Sequence, residues 1–250
     1  MIASIFHKGK DYKIDLYKPI DISIPLTTSK DCVNAWYVEP MKLEPVIVGD
    51  WIGDVNKGGS VNFRNVSFNP HGNGTHTECL GHISKEFETI NQHLKKFFFV
   101  AELVTILPEQ IDNGDFVITK QQLVASLEEA KNTEAIVIRT LSNSPSKLHA
   151  QYSNSNPPYI EEDAIYFLNE KGIEHILIDL PSIDREVDGG KLAAHHAFWN
   201  YPANPQKHKT ITEMVYVSNE VFDGTYILNI QIAPFENDAS PSKPILYQIF

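Results

Sequence analysis

Cysteine is scarce in this chain, which has only Cys32 and Cys79 among its 250 residues. Two thiols are too few for the disulfide framework of a small secreted domain, and such sparse use is typical of a reducing compartment. The first ten residues include His7, Lys8 and Lys10, and neither an apolar stretch nor a small-residue cleavage site follows them. We therefore expect a cytoplasmic protein.

Positive charge is scarce as well, because 21 Lys and Arg face 32 Asp and Glu, giving a formal net charge of -11. Proteins that bind nucleic acid concentrate basic side chains to neutralise phosphate, so we expect no nucleic-acid partner. No apolar run is long enough to span a bilayer, and we expect no membrane association. The 42% of hydrophobic residues is enough for a substantial core. Without a repeat or a linker, residues 1–250 are predicted to form a single domain.

Short apolar runs alternate with helical patterns along the chain, which predicts an α/β fold. Strands are predicted at residues 20–26, 61–68, 97–106, 135–139 and 176–179, with further alternation over 210–233. Helices are predicted at residues 121–130 and 161–171, and a loop at 200–209. The second helix is followed by Gly172, a residue favoured just past a helix C-terminus. Helix, glycine and strand in that order form an α/β unit.

Three histidines fall within a dozen residues, His71, His76 and His82, with Glu78 among them. The sequence of residues 69–81, NPHGNGTHTECLG, is rich in turn formers and predicts a loop. Imidazole nitrogens and carboxylate oxygens are ligands for divalent transition metals, and the glycines let the chain bend around an ion. His76 and Glu78 share one face if this stretch is extended. A lone histidine is more often an exposed polar residue, but this cluster predicts a metal site.

A second group of candidate ligands lies in the last quarter of the chain. His195 and His196 occur in LAAHHAF, whose composition predicts a position at or near a helix. Adjacent helical residues point about a quarter-turn apart, so we expect one ligand of the two. A buried histidine bonded to a backbone carbonyl would have the same sequence pattern. Glu213 interrupts an apolar strand pattern. A buried carboxylate at such a position is costly unless a cation or metal pairs with it. The ordinary alternative is that Glu213 is exposed on the strand.

Together these segments resemble the metal-dependent cyclase family, which includes bacterial-type kynurenine formamidase (arylformamidase) and isatin hydrolase. The family signature is His-x-Gly-Thr-His-x-Asp-x-Pro-x-His, and residues 71–82 read HGNGTHTECLGH. Gly74, Thr75, His76 and His82 match in place. Further similarity lies in IDISIPL near the start, IVIRT, FLNEKGIEHILIDLPSID, and AHHAF followed by ITEM.

The chain departs from that signature in three places. One extra residue lies between His71 and His76, Glu78 replaces an aspartate, and Leu80 replaces a proline. A bulge at Gly72 can absorb the extra residue. A glutamate is longer by one methylene, which allows metals to be held at an altered separation.

The resemblance implies a swivelling β/β/α domain with a barrel-like mixed sheet flanked by helices, assembled as a homodimer or larger homo-oligomer. It implies one or two divalent ions, zinc or manganese, with the ligands His71, His76, Glu78, His195 and Glu213. His195 is favoured over His196 by its spacing to Phe198. His82 stands where the family keeps its acid/base histidine, and Glu78 is expected to bridge the metals, so these two are the catalytic candidates.

The implied reaction is hydrolysis of an amide C–N bond in a small molecule of the N-formylkynurenine type. A ring-opening hydrolase of a cyclic amide or lactone is the alternative within the family, because the same groups would serve either carbonyl. A metal-binding member without turnover is a third hypothesis. Four aromatic residues are candidates for the pocket, with core or interface packing as the ordinary alternative: Trp36, Trp51, Phe63 and Trp199. Cys79 is three residues from His82, a spacing seen in zinc sites, but we expect a packed thiol.

Overall fold

Seven strands close into a barrel in the computed structural model, which describes residues 1–250. The strands are β1 Ile2–His7, β2 Lys10–Asp15, β3 Ile20–Asp21, β4 Lys42–Pro45, β5 Ile47–Val48, β6 Trp51–Ile52, β7 Arg64–Ser67, β8 His76–Glu78, β9 Phe98–Ile106, β10 Glu109–Gln110, β11 Phe116–Ile118, β12 Ala135–Thr140, β13 Tyr159–Ile160, β14 His175–Ile178, β15 Thr210–Glu213, β16 Gly224–Ile232 and β17 Ala239–Gln248. The helices are α1 Ile90–His93, α2 Lys120–Ser126, α3 Glu162–Glu170 and α4 Ala193–Trp199. Short 3-10 turns cover Val55–Lys57, Leu80–His82 and Pro145–His149.

The barrel has the strand order β16–β9–β12–β14–β15–β8–β17, and β17 also pairs with β16 to close it. β9, β12, β14 and β15 are mutually parallel. The remaining contacts around the barrel are antiparallel, and β3 adds to the outer edge of β17. This closed mixed sheet with flanking helices confirms the predicted α/β fold class.

The central parallel strands are buried on both faces, which explains their uninterrupted apolar sequences. In β12, Ile136 and Ile138 pack in the core cluster that includes helices α2 to α4. Ala135 and Val137 belong to the second cluster, which fills the barrel. Alternate side chains of a strand point to opposite faces, so both sets must be apolar. Truncation of Ile138 to alanine would cost about 2–5 kcal/mol.

The sequence of helix α3 explains where this helix ends. Its buried face carries Ala164, Ile165, Phe167 and Leu168 at helical spacing. Gly172 follows the helix with φ +79°, a left-handed conformation that glycine adopts without a steric penalty. Helix α2 ends earlier than predicted, at Ser126, and none of the helices has both the length and the apolar character that crossing a membrane requires.

The loop predicted at residues 69–81 is wrong in its central part, where His76–Glu78 form strand β8. β8 pairs with β15 on one edge and β17 on the other, and all three side chains are buried. The glycines and polar residues around it led to the loop prediction. Backbone partners on both edges override that local preference.

Three other strand predictions are corrected in length. Residues 20–26 pair only at β3 and through a single bridge from Ser23 to Val215, and residues 61–68 pair only over β7. The alternating stretch 210–233 contains two strands, β15 and β16. The chain leaves β15 at Met214, whose φ is +52°, which is incompatible with a continuing strand.

Residues 42–67, which we call the arm, contain β4 to β7 and form two-stranded pairs among themselves only. β4 pairs with β7 and β5 with β6, and no arm strand joins the barrel. Gly53 is the one buried residue of the arm. The arm therefore adds nothing to the two main cores.

His175, at the start of β14, is a buried histidine outside the histidine cluster. Its Nδ1 lies 2.8 Å from Oγ1 of Thr210, and its ring packs against Phe99 at 3.9 Å between centroids. Burial, assisted by the positive charges of neighbouring side chains, lowers the pKa of His175 from 6.5 to about 3. The folded protein therefore keeps this ring neutral at pH values where the unfolded chain protonates it.

We predict that His175→Gln flattens the acid side of the stability profile. Between about pH 6.5 and 3, the unfolded wild-type chain binds one more proton at this site than the folded protein does. The free energy of unfolding therefore falls by up to about 1.4 kcal/mol for each unit by which the pH is lowered. Urea unfolding between about pH 7 and 5, with a chelator present, measures that slope. His149→Gln is the control, because His149 is an exposed histidine that does not act on His175. Equal slopes in all three proteins would contradict the prediction.

Candidate metal centre

Strand β8 places His76 and Glu78 on the same side of the barrel, as their spacing of two predicts for an extended segment. The register sets His76 directly opposite Glu213 of β15. His76 Nε2 consequently lies 3.3 Å from Glu213 Oε2. Both glutamates are almost fully buried, so their charges require partners.

His71 joins this group although it lies outside the strand. Its Nδ1 is 3.1 Å from Glu78 Oε2, and its Nε2 is 2.8 Å from Oδ2 of Asp238. Asp238 precedes β17, the other strand beside β8. The structure thus brings together ring nitrogens and carboxylates from both strands that flank β8.

A tight turn accommodates the extra residue of the signature. The backbone N–H groups of Gly72 and Asn73 both donate to the carbonyl oxygen of Asn69, and the Asn73 side chain accepts from the Asn69 N–H. A Cβ atom at position 72 would lie 2.4 Å from Cγ2 of Val38. Glycine therefore allows the turn to pack closely enough for His71 to reach Glu78.

Helix α4 supplies His195. Its first N–H groups, those of Ala194 and His195, donate to the carboxylate of Asp184, which also lies 2.6 Å from His195 Nδ1. His195 Nε2 is 3.0 Å from Glu78 Oε1. His196 points elsewhere, with its Nδ1 3.0 Å from the carbonyl oxygen of Tyr201. Of the two adjacent histidines, the structure places only His195 in the cluster.

His82 lies at the outer side of the cluster. It belongs to the short 3-10 turn after β8, and its Nδ1 lies 3.5 Å from Asp238 Oδ2 and 3.7 Å from Glu78 Oε2. Its side chain is 30% exposed, the largest value among the predicted site residues. His82 can therefore reach a molecule that enters from solvent.

The two glutamates each span the cluster. Glu78 directs Oε2 toward His71 and Oε1 toward His195. Glu213 directs Oε2 toward His76, and its Oε1 lies 3.9 Å from His195 Nε2. The potential metal ligands thus form two groups. One contains His71 and His76 and the other contains His195, and each glutamate directs one oxygen toward each group.

The rings of His71, His76 and His195 each have one nitrogen that faces a carboxylate of the cluster and a second nitrogen that faces another hydrogen-bond acceptor. His76 Nδ1 lies 3.1 Å from the carbonyl oxygen of Gly74, while His195 and His71 use Asp184 and Asp238. A proton held at that nitrogen leaves the lone pair of the other one free, which is the arrangement of metal-bound histidines. The second acceptors therefore orient the rings for coordination.

Two potential metal-ligand atoms in the centre make no hydrogen bond of acceptable geometry, although an oppositely charged side chain lies within 3.3 Å of each. They are His76 Nε2 and Glu78 Oε2, both buried. Orphaned polar atoms of this kind are rare and usually indicate a missing ion or a functional site. Imidazole nitrogens with carboxylate oxygens suit zinc, manganese and similar ions. The residues present therefore fit a divalent metal.

Without an ion, the cluster forms a network of charged pairs. Burial alone would lower the pKa of His71 and His195, but hydrogen bonds and charge attraction from the surrounding carboxylates outweigh it and raise each pKa to about 10. Burial alone would raise the pKa of Glu78, but charge attraction to His82 and hydrogen bonds from His195 and His71 hold it well below its usual range. Because a coordinated imidazole must be neutral, metal uptake displaces these protons.

A cavity of about 380 Å³ opens onto the cluster. It is lined by His71, His82, His195 and Glu213, together with Trp36, Val38, Asn69, Ser182, Arg185, Glu186, Asp188 and Leu192. The volume lies within the range of small-molecule sites. Metal donors at the floor and mixed apolar and polar walls are suited to a small organic substrate.

The four aromatic candidates separate in the structure. Trp36 lines the cavity, while Trp199 is buried behind His195, with its indole N–H donating to the carbonyl oxygen of Lys209. Trp51 and Phe63 lie on the arm and contact each other. Cys79 is a fully buried thiol that lies beside the cluster but is not part of it, and burial raises its pKa to about 12.

Asp184 and Asp238 are site residues that sequence reasoning did not find. Asp184 follows strand β14, at the end of the PSID segment, and Asp238 follows two acidic or amide residues before β17. A carboxylate in the loop beyond the carboxyl end of a parallel strand is a site signal, but at β14 it applies first to Asp179, which follows Ile178 directly, and only then to Asp184. Nothing in the local sequence distinguishes Asp238 from an exposed loop aspartate.

A closed α/β barrel with buried histidines and glutamates, each ring oriented by a second acceptor, defines a protein with a divalent-metal site. The chain belongs to the Cyclase family, whose model matches residues 20–185, more than half of the sequence. The matched range includes the His71 segment, while His195, Glu213 and Asp238 lie beyond it.

Known proteins are similar over most of the chain. A kynurenine formamidase of Bacillus anthracis is 28% identical over 240 residues, covering 93% of this chain and 98% of its own. A kynurenine formamidase of Bacillus thuringiensis strain Al Hakam is 26% identical over 217 residues, with coverages of 81% and 92%. These relatives, together with the donor set, support a metal-dependent hydrolase of this family.

Solved structures share the fold. Isatin hydrolase A from Labrenzia aggregata has a TM-score of 0.65 at 14% identity and covers 92% of this chain and 93% of its own. A structure described as a predicted metal-dependent hydrolase from Bacillus stearothermophilus has a TM-score of 0.63 at 19% identity, with coverages of 92% and 98%. At these identities the likeness concerns the fold alone.

We predict that Asp184→Asn lowers the affinity for zinc or manganese by about 10–100-fold. A neutral amide orients the His195 ring less firmly than a carboxylate does, and it raises the basicity of the coordinating nitrogen less. Competition with a chelator measures the dissociation constant. Asp112→Asn, at an exposed loop position, is the matched control and should bind as the wild type does. Unchanged affinity in Asp184→Asn would show that this carboxylate has no part in orienting His195.

Proposed function

We propose that the protein is a metal-dependent amidohydrolase that cleaves an amide C–N bond of a small molecule, in the manner of an arylformamidase acting on an N-formylkynurenine-type substrate. The observation that carries the proposal is a pair of buried atoms without a hydrogen bond, His76 Nε2 and Glu78 Oε2. They lie next to Glu213 and His71, which line an open cavity. The similarity to kynurenine formamidases over most of both chains supports this substrate class.

The proposed ligands are His71, His76, Glu78, His195 and Glu213, and the ion is zinc or manganese. When bound, such an ion supplies a Lewis acid and lowers the pKa of a coordinated water from roughly 15.7 toward 7. Glu78 is the proposed bridging ligand between two ions, since its two oxygens face opposite halves of the cluster.

His82 is the proposed acid/base residue. Asp238 faces its Nδ1 at 3.5 Å and so favours a proton on that nitrogen. Nε2 then exchanges a proton with the substrate. Hydrolysis transfers the water oxygen to the carbonyl carbon and a proton to the departing nitrogen, and an imidazole suits that second transfer because it can both accept and release a proton.

Opening of a cyclic amide or lactone is the second candidate activity. Trp36 and Val38 form an apolar part of the cavity wall against which a flat bicyclic ring can pack, and the attack on the carbonyl uses the same groups. The two activities differ in whether the leaving nitrogen or oxygen stays attached to the product. Assays of N-formylkynurenine and isatin with the same preparation distinguish them.

We predict that hydrolysis of N-formylkynurenine is abolished by complete removal of metal and restored by zinc or manganese added alone. The reason is that the buried donors cannot activate water for attack on an amide without an ion. Elemental analysis before and after chelation verifies the metal content, and initial rates give the activity. A magnesium salt is the control, because that ion prefers oxygen ligands.

Full activity in verified metal-free protein would overturn the mechanism. A metal-loaded protein that cleaves isatin but not N-formylkynurenine would instead establish the second candidate activity.

We predict that His82→Ala lowers kcat by about 100-fold or more while the metal content stays at the wild-type level, because acid/base help is lost and the proposed ligands remain. His196→Ala is the matched control, since this histidine faces Tyr201 rather than the cavity. Glu78→Ala, in contrast, should lose metal and activity together. A metal-binding member without turnover would bind ions but hydrolyse neither substrate in the wild-type protein.

A further inference from the structure

Basic side chains gather around one cavity of this acidic molecule. Residues 93–96 and 207–209 hold four of the 21 Lys and Arg residues, together with His93 and His208. A cavity of about 320 Å³ lies between them, which we call the basic cavity. It is lined by His93, Leu94, Lys95, Lys96, Phe99, Glu174, His175 and His208. In a chain with a net charge of -11, such a concentration of positive charge attracts anions locally.

The basic cavity lies away from the metal centre. Its lining includes His175, the first residue of β14, which pairs with Thr210, the first residue of β15. Glu213, a proposed metal ligand, ends β15 and is three residues, or about 10 Å, farther along the strand. No residue lines both the basic cavity and the cavity at the metal centre. The basic cavity is therefore a separate place for a ligand.

The buried ring of His175 distinguishes this cavity from an ordinary basic surface. His175 lines the cavity although only 3% of the residue is exposed. Its Nδ1 faces Oγ1 of Thr210 and its ring packs on Phe99, but no protein group bonds to its Nε2. Unlike His76 Nε2, this nitrogen is not sealed from solvent. Because buried polar groups require partners, the partner of Nε2 has to lie in the cavity.

Lys96 is the second polar group of the cavity without a partner. His93 and Lys207 are both paired with the carboxylate of Glu88, whereas Lys96 forms neither an ion pair nor a hydrogen bond. Burial, and then the positive charges of neighbours that include Lys96, lower the pKa of His175, which places the Lys96 ammonium group near that ring. Two unsatisfied groups, one of them a permanent cation, thus face the same space.

The other residues of the lining favour an anion over a cation. Glu174 is the one carboxylate, and it lies 3.8 Å from His208 Nε2. Lys95 and Lys96 outweigh it, so the lining carries a net charge of +1 even with every histidine neutral. A metal ion is a poorer occupant although three histidines line the cavity, because two ammonium groups repel it.

We propose that the basic cavity binds a compact oxyanion of the phosphate class, with the Lys96 ammonium group and the Nε2–H of His175 as donors. Phosphate oxygens accept charge-assisted hydrogen bonds from such groups. His175 donates from Nε2 when its Nδ1 accepts the hydroxyl hydrogen of Thr210, which the 2.8 Å contact allows. The volume suits a free phosphate ion or the phosphate group of a small molecule.

Binding is tested by titrating inorganic phosphate into the full-length, metal-loaded protein while chloride is withdrawn to keep the ionic strength constant. We expect saturable binding in calorimetry. We also expect the His175 Nε2 signal to shift in NMR spectra that correlate ring nitrogens with ring protons, and its absence from the His175→Gln spectrum assigns it. That signal separates binding at the basic cavity from binding of phosphate to the metal.

Lys96→Gln should raise the dissociation constant for phosphate, measured from the His175 signal, about tenfold, because one charge-assisted hydrogen bond is lost. Lys57→Gln is the matched control, since it removes the same charge from an exposed position on the arm. Lys96 is itself exposed, so circular dichroism should show an unchanged fold in both variants.

Phenyl phosphate distinguishes the two sources of the oxyanion. Tighter binding of phenyl phosphate than of inorganic phosphate identifies a phosphorylated small molecule, because Leu94 and Phe99 offer the phenyl ring an apolar wall. The reverse order identifies the free ion. Both orders support the basic cavity as an oxyanion site.

Two results would overturn the proposal. The first is a His175 signal that does not respond to phosphate, including the case in which phosphate binds at the metal centre alone. The second is a Lys96→Gln protein that binds phosphate as tightly as the Lys57→Gln protein does.

Discussion

The buried carboxylate of Glu78 is the constraint on which the arrangement of the site depends. It is the last residue of β8 and has no solvent contact, so an unpaired charge there would cost several kcal/mol. Imidazoles approach it from a turn, a helix and a 3-10 segment, and each of these rings also lies beside an aspartate. The metal donors thus form one electrostatically coupled unit.

The barrel supplies the rigidity that this unit requires. β8 has only three residues, yet its hydrogen bonds to β15 and β17 fix His76 and Glu78 relative to Glu213 and Asp238. The adjoining parallel strands are filled by apolar side chains on both faces, which leaves no room for local rearrangement.

Sequence patterns predicted the parts of the fold that depend on local hydrophobicity, such as β9, β12, β14 and helix α3. They also singled out every histidine and glutamate that the structure gathers in the cluster. The strand at His76–Glu78 was missed because its glycine-rich flanks indicate a loop and its strand partners lie more than 100 residues away. Asp238 was missed for a related reason, since its role depends on a contact with His71 across 167 residues.

Strand β17 pairs with three different strands, β16, β8 and β3, and thereby completes both the barrel and one wall of the metal centre. During synthesis, residues 239–248 leave the ribosome after all the proposed ligands. Until then β8 has an unpaired edge, and His71 and His82 lack the aspartate before β17. Pairing of β17 therefore links closure of the barrel to assembly of the centre, because one segment supplies the second edge of β8 and follows directly on the aspartate beside His71 and His82.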